Sequence, residues 1–182
     1  MKFSKLRRVL RKKVGNISNR SVKGQIEITL SILVGHKFNY IGRAANMLDV
    51  GFGDDVEYIS SVNPEKRMVS RFALHVHSSW RILKDGAICL GQSDFFNHMS
   101  GFKTCEENND AIYDELNKTL KETMIKVTRI EATEIGDLKI HMEEDYCLEL
   151  FVDVCGNRES WRFFEMNNEN AHFVIFDEDE EA

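Results

Sequence analysis

The chain writes one order of strand-like text twice, and this constrains its fold more than any other feature. Lys37-Phe38-Asn39-Tyr40-Ile41 has a counterpart in Lys126-Val127-Thr128-Arg129-Ile130, and Leu48-Asp49-Val50-Gly51-Phe52 in Leu138-Lys139-Ile140-His141-Met142. Ala73-Leu74-His75-Val76 matches Cys147-Leu148-Glu149-Leu150. Ser79-Trp80-Arg81-Ile82 matches Ser160-Trp161-Arg162-Phe163, and Ala87-Ile88-Cys89-Leu90 matches Phe173-Val174-Ile175-Phe176. The Ser-Trp-Arg triplets weigh most, because the chain has no other tryptophan. The spacing between paired blocks varies, as loop insertions would make it.

The period of the apolar residues fixes the expected elements. Phe3, Leu6, Val9, Leu10 and Val14 fit a short helix with a basic outer face, ended at Gly15-Asn16. Ile26, Ile28, Leu30, Ile32 and Val34 alternate as in a half-buried strand. Strands follow near 37–41 and 47–52. Gly53-Asp54-Asp55 then opens a polar connection through Asn63-Pro64. Further strands are expected at 68–76, 80–83 and 87–90. The last two are joined by Lys84-Asp85-Gly86, a turn whose Asp-Gly pair tolerates positive φ. Asn109 and Asp110 are placed to cap a helix running to about Met124, with Ile112, Leu116, Leu120 and Met124 as its apolar stripe and Tyr113 beside it. Five strands follow, near 125–133, 137–142, 146–152, 161–164 and 172–176.

These elements predict an α+β fold with two pseudo-repeated antiparallel β-meanders, about residues 35–96 and 124–176. The meanders are expected to pack as a sandwich or partial barrel, with one central connecting helix over about 109–124 and a short basic N-terminal helix. The domain plan is a basic arm (1–24), a single β-rich domain (25–176) and an acidic tail (177–182). Trp80 and Trp161 are expected at related places in a shared core. Arg81 and Arg162, one residue on, leave it on the opposite face.

Three stretches carry a family resemblance. They are Gly42-Arg43-Ala44-Ala45-Asn46-Met47-Leu48 with Phe52-Gly53, Leu74-His75-Val76 with Trp80-Arg81-Ile82, and Leu148-Glu149-Leu150 with Trp161-Arg162-Phe163-Phe164. Over about residues 30–176 the chain resembles a family of small bacterial cytosolic proteins without assigned activity. It is loosely similar to toxin-immunity-type domains. The resemblance implies a small cytoplasmic protein and carries over no catalytic residue; residues 1–24 lie outside it.

Charge divides the chain. Residues 1–24 hold nine basic side chains and no acid. The rest holds the remaining 15 basic residues against all 30 acids, a net −15, ending in Asp177-Glu178-Asp179-Glu180-Glu181. No apolar run approaches the roughly 20 residues that cross a bilayer. None follows the charged start either, so no secretory signal is expected. Cys89, Cys105, Cys147 and Cys155 form no CxxC pair. Cys89 and Cys147 lie in apolar strand text and read as reduced core thiols.

Few residues carry legible chemistry. His75 and His77, two apart on a strand, project from one face and can offer two nitrogen ligands to a metal, with Asp94 or His98 completing a set; the plainer alternative is a solvated face. Arg81 and Arg162 can clamp an anion pseudo-symmetrically, or pair with acids of the body such as Asp94, Asp153 or Glu159. No nucleophile elbow, HExxH or glycine-rich phosphate loop is present, so no catalytic residue and no cofactor are assigned.

The reading preferred on these grounds is a non-catalytic protein-binding module, immunity-like, with an acidic body for an unidentified protein partner. Its rival is a small-ligand or metal-dependent enzyme with a site between the lobes, near His75, His77, Arg81, Asp94 and Arg162. A third reading attaches nucleic acid through the basic arm, although the acidic body would repel a polyanion beyond it.

Overall fold

A computed structural model of the chain describes residues 21–59, 65–96, 105–154, 158–168 and 172–176. The expected arm helix, His98, Cys155 and the acidic tail lie outside the described residues. Among these residues are two α-helices and ten strands. They are α1 (Val22–Leu30), β1 (Phe38–Ala44), β2 (Met47–Ile59), β3 (Lys66–Val76), β4 (Ser79–Lys84), β5 (Ala87–Gly91), α2 (Cys105–Thr123), β6 (Val127–Ala132), β7 (Leu138–Met142), β8 (Tyr146–Phe151), β9 (Glu159–Glu165) and β10 (Phe173–Phe176). The class is α+β, with two antiparallel sheets.

The first departure from expectation is α1, which takes the place of the strand read from Ile26 to Val34. Ser21 caps it, accepting the Gly24 N–H at 3.3 Å. Ile26, Leu30 and Leu33 are buried at four- and three-residue steps, while Ile28, Ile32 and Val34 are exposed. Every second residue here is apolar, so the text satisfies both periods, and the core selects the helical one. The second departure is β2. It does not end before Gly53 but continues to Ile59, passing a bulge between Phe52 and Asp55 where Gly53 takes φ +81°. The third lies at the end of α2, which starts four residues before Asn109. Met124, expected on the apolar stripe, stands just past its end at φ +50° and is exposed.

The strand order also corrects the reading of two self-contained meanders. One sheet runs β1-β2-β3-β9-β10 and the other β5-β4-β8-β7-β6. Three consecutive strands of each half pair as expected, but the last two cross to the other sheet. Only His77 and Ser78 separate β3 from β4, a hairpin-length gap. Yet the N–H groups of both bond the Ser160 carbonyl, and β4 pairs with β8. The Asp85-Gly86 turn forms as expected, with φ of +52° and +76°.

The helices guard two sheet edges. Asn117 of α2 bonds both the N–H (2.9 Å) and the C=O (2.7 Å) of Ile41 on β1. Glu27 of α1 accepts the Ala132 N–H on β6 at 3.2 Å. At their starts β1 and β6 touch each other through a Lys37–Lys126 bridge and backbone bonds among Gly35, His36, Phe38, Ile125 and Val127. Such bonds satisfy ladder groups that an edge strand would otherwise leave free. One hydrophobic cluster takes in both sheets and both helices. Trp80 and Trp161 are buried in it, and the Trp161 indole N–H donates to the Gly136 carbonyl at 2.9 Å. Of the expected core thiols, Cys147 is buried and Cys89 is exposed on β5.

Candidate functional site

Alternation along β2, β3 and β9 sends Leu48, Val50, Leu74, Val76, Trp161 and Phe163 into the core. It sends Asp49, Gly51, Ala73, His75, Arg162 and Phe164 to the other face. Register then sets the rows. Tyr40, Gly51, Ala73 and Phe164 form one cross-strand row. Asp49, His75 and Arg162 form the next. The middle of the first row is a glycine and an alanine between two aromatic rings. The result is a cleft of about 920 Å³ on the outer face of the first sheet.

Each wall has a local cause. The Tyr40 side chain lies over Gly42, where a Cβ would collide with its hydroxyl. Burial, with the Asp49 charge nearby, pushes the Tyr40 phenol up from its ordinary value. Ser70 rests over Gly51, where a Cβ would meet its Oγ. Asn39 holds that hydroxyl at 2.9 Å and also donates to Asp55 at 2.6 Å. Opposite, His172 stacks on Phe164 at 4.2 Å and 8°, and His75 meets the same ring edge-on at 4.9 Å. His75 Nε2 stands 3.5 Å from Asp49 Oδ1. Burial, then the charges of Arg162 and His75, hold the His172 imidazole below its ordinary pKa. Met68, Tyr58 and Met166 line the far end, and Lys121 adds a cation. Glu165 also lines the cleft, but it is occupied by Arg71 at 2.8 Å and Asn168 at 3.0 Å.

Of the candidate ligands that lie among the described residues, His75 alone lines this cleft. His77 lies past the end of β3, with Glu159 at 3.8 Å. Arg162 forks Glu159 through two bonds of 2.5 Å. Arg81 belongs to the other sheet and bonds Glu149 at 2.5 Å, so the two arginines form no common clamp. The alternative expectation is that each pairs with an acid of the body, such as Asp94, Asp153 or Glu159. Arg162 takes a partner named there, and Arg81 takes Glu149 instead. Asp94 accepts the Gly91 N–H at 2.7 Å beside β5. Among the described residues, no three His, Cys, Asp or Glu side chains converge as a metal site. Sequence reasoning missed Tyr40, Asp49, Asp55, Ser70, Phe164 and His172. The usable signal was Gly51 inside a strand, which marks a close approach by other atoms.

No family model, no curated protein and no solved structure matches the chain. Among the described residues, no helix is long and apolar enough to cross a membrane.

Proposed function

We propose that this chain is a non-catalytic binding module whose acidic body receives a basic protein partner on the outer face of the first sheet. The observation that carries this is the cleft itself: carboxylates of Asp49 and Asp55 within aromatic and thioether walls. Carboxylates and ring faces both attract cations. The net −15 of residues 25–182 steers a basic partner toward it. Of the hydroxyls lining the cleft, that of Ser70 is engaged by Asn39, and His75 faces Asp49 and Phe164. A cytoplasmic, immunity-like role belongs to the same proposal.

The architecture of this module is proposed to be an exchanged repeat: two copies of one helix and five strands, their sheets packed as a sandwich. The like strand orders support it, as does each helix covering the first strand of the opposite half.

A titration of the full chain, followed by backbone NMR, tests the binding reading. A lysine- and arginine-rich peptide is expected to bind and to weaken steeply with salt, while an acidic peptide of equal length does not. Equal indifference to both would end the proposal. One observation favours the rival small-ligand reading, with its site moved from between the sheets to this cleft: the imidazole of His75 beside the Asp49 carboxylate. A metabolite panel that shifts the melting temperature of the wild type but not of His75→Ala would favour it.

A further inference from the structure

The cleft has a direction as well as a charge. Asp49 lies opposite His75 and Asp55 opposite Ser70, so five residues of β3 separate the two carboxylates along the sheet. At a rise of about 3.3 Å per residue that is roughly 17 Å. Between them lies the low floor of Gly51 and Ala73, with Tyr40 to one side and Phe164 to the other.

We propose that this trough receives an extended segment of a basic polypeptide carrying two cationic side chains four residues apart with an apolar side chain midway. The proposal rests on the binding reading above and names the occupant. In an extended chain, residues i, i+2 and i+4 point to one side and span about 13 Å. Two long basic side chains cover the remaining few ångströms, one reaching Asp49 and the other Asp55. The middle residue then falls on the Gly51–Ala73 floor between the rings, where other outward positions of a sheet would carry bulk. A compact cation meets only one carboxylate at a time. A polyanion meets both as repulsion, with Lys121 as the cation lining the cleft.

Peptide titrations of the full chain by calorimetry test this. The first peptide carries two arginines four residues apart with leucine midway, in a serine-glycine spacer. The second has the same composition with the arginines adjacent. The spaced peptide is expected to bind about tenfold tighter, the worth of one extra charge-assisted contact. Asp49→Asn and Asp55→Asn are each expected to cost it about tenfold. Asp85→Asn, on the hairpin of the other sheet, is expected to change nothing. Melting temperatures of all three variants check the fold. Equal affinity for both peptides, or indifference to Asp49→Asn and Asp55→Asn, overturns the trough and leaves the acidic binding body standing. Failure of every basic peptide to bind removes both.

Discussion

The outer faces of the two sheets have the same strand order and opposite surfaces. On the second sheet, Lys139, Glu149 and Arg81 make one cross-strand row, and Arg129, His141, Cys147 and Leu83 the next. Glu149 is only 4% exposed, yet Lys139 at 2.7 Å and Arg81 at 2.5 Å both reach it. Burial opposes its charge, but the bonds from these two cations outweigh that and hold its carboxyl below the ordinary value. Arg129 and His141 close the neighbouring corner on Glu131. On the first sheet the row of Glu149 holds His75, between Asp49 and an Arg162 that turns to its own strand. The row of His141 and Cys147 holds Gly51 and Ala73. One face is a satisfied lattice of charge; the other keeps its polar groups around an opening. A sheet face opens into a cleft where side-chain volume is withdrawn, as at Gly51 and Ala73.

Thiol chemistry gives the largest expected contrast. Burial raises the pKa of the Cys89 thiol and, with the Glu149 charge beside it, that of Cys147 as well, so the contrast lies in access: Cys147 is buried in the closed face. Maleimide labelling read by peptide mass is expected to modify it about a hundredfold more slowly than exposed Cys89, since access requires opening of the sheet. Comparable rates would mean the second face is not closed.

The middle row is tested next. Glu149→Gln is expected to cost about 1–2 kcal/mol in urea unfolding. This is less than a fully buried pair loses, because Arg81 and Lys139 can rehydrate. His75→Ala, at the same place on the open face, is expected to stay within about 0.5 kcal/mol. Equal losses would erase the contrast in stability between the faces.

The smallest expected effect is on pH. His141 is held low by burial and by Arg129 and Lys139, and His172 by burial, Arg162 and His75. Both fold with pKa values below the ordinary 6.5, so the unfolded chain binds more protons just below that pH. Stability therefore falls as pH drops from about 6.5. Glu149 adds a further loss below its ordinary 4.5. A melting curve that rises from pH 7 to 5.5 would contradict the sign, and His141→Gln with His172→Gln is expected to flatten the slope.

Much of this was legible in the residues. Strand positions, the Asp85-Gly86 hairpin, α2 and the burial of both tryptophans followed from period and turn chemistry alone, because these are decided within a few residues. The signals against the two main misreadings were also local. Ser21 stands as a cap before Val22, and His77-Ser78 lacks the positive-φ residues that a two-residue hairpin needs.

Residue pattern alone places the ten strands to within a few residues at most ends, aims most of their alternating apolar side chains at the core, and divides charge between residues 1–24 and the remainder. Contacts between distant segments decide that residues 22–30 form a helix, that β4 and β9 leave their own neighbours, and that Gly51 and Ala73 fall between Tyr40 and Phe164. Alternation specifies inside and outside without naming the strand alongside. That choice is made by the shared core and by backbone bonds between segments far apart in the chain, such as those joining His77 and Ser78 to Ser160.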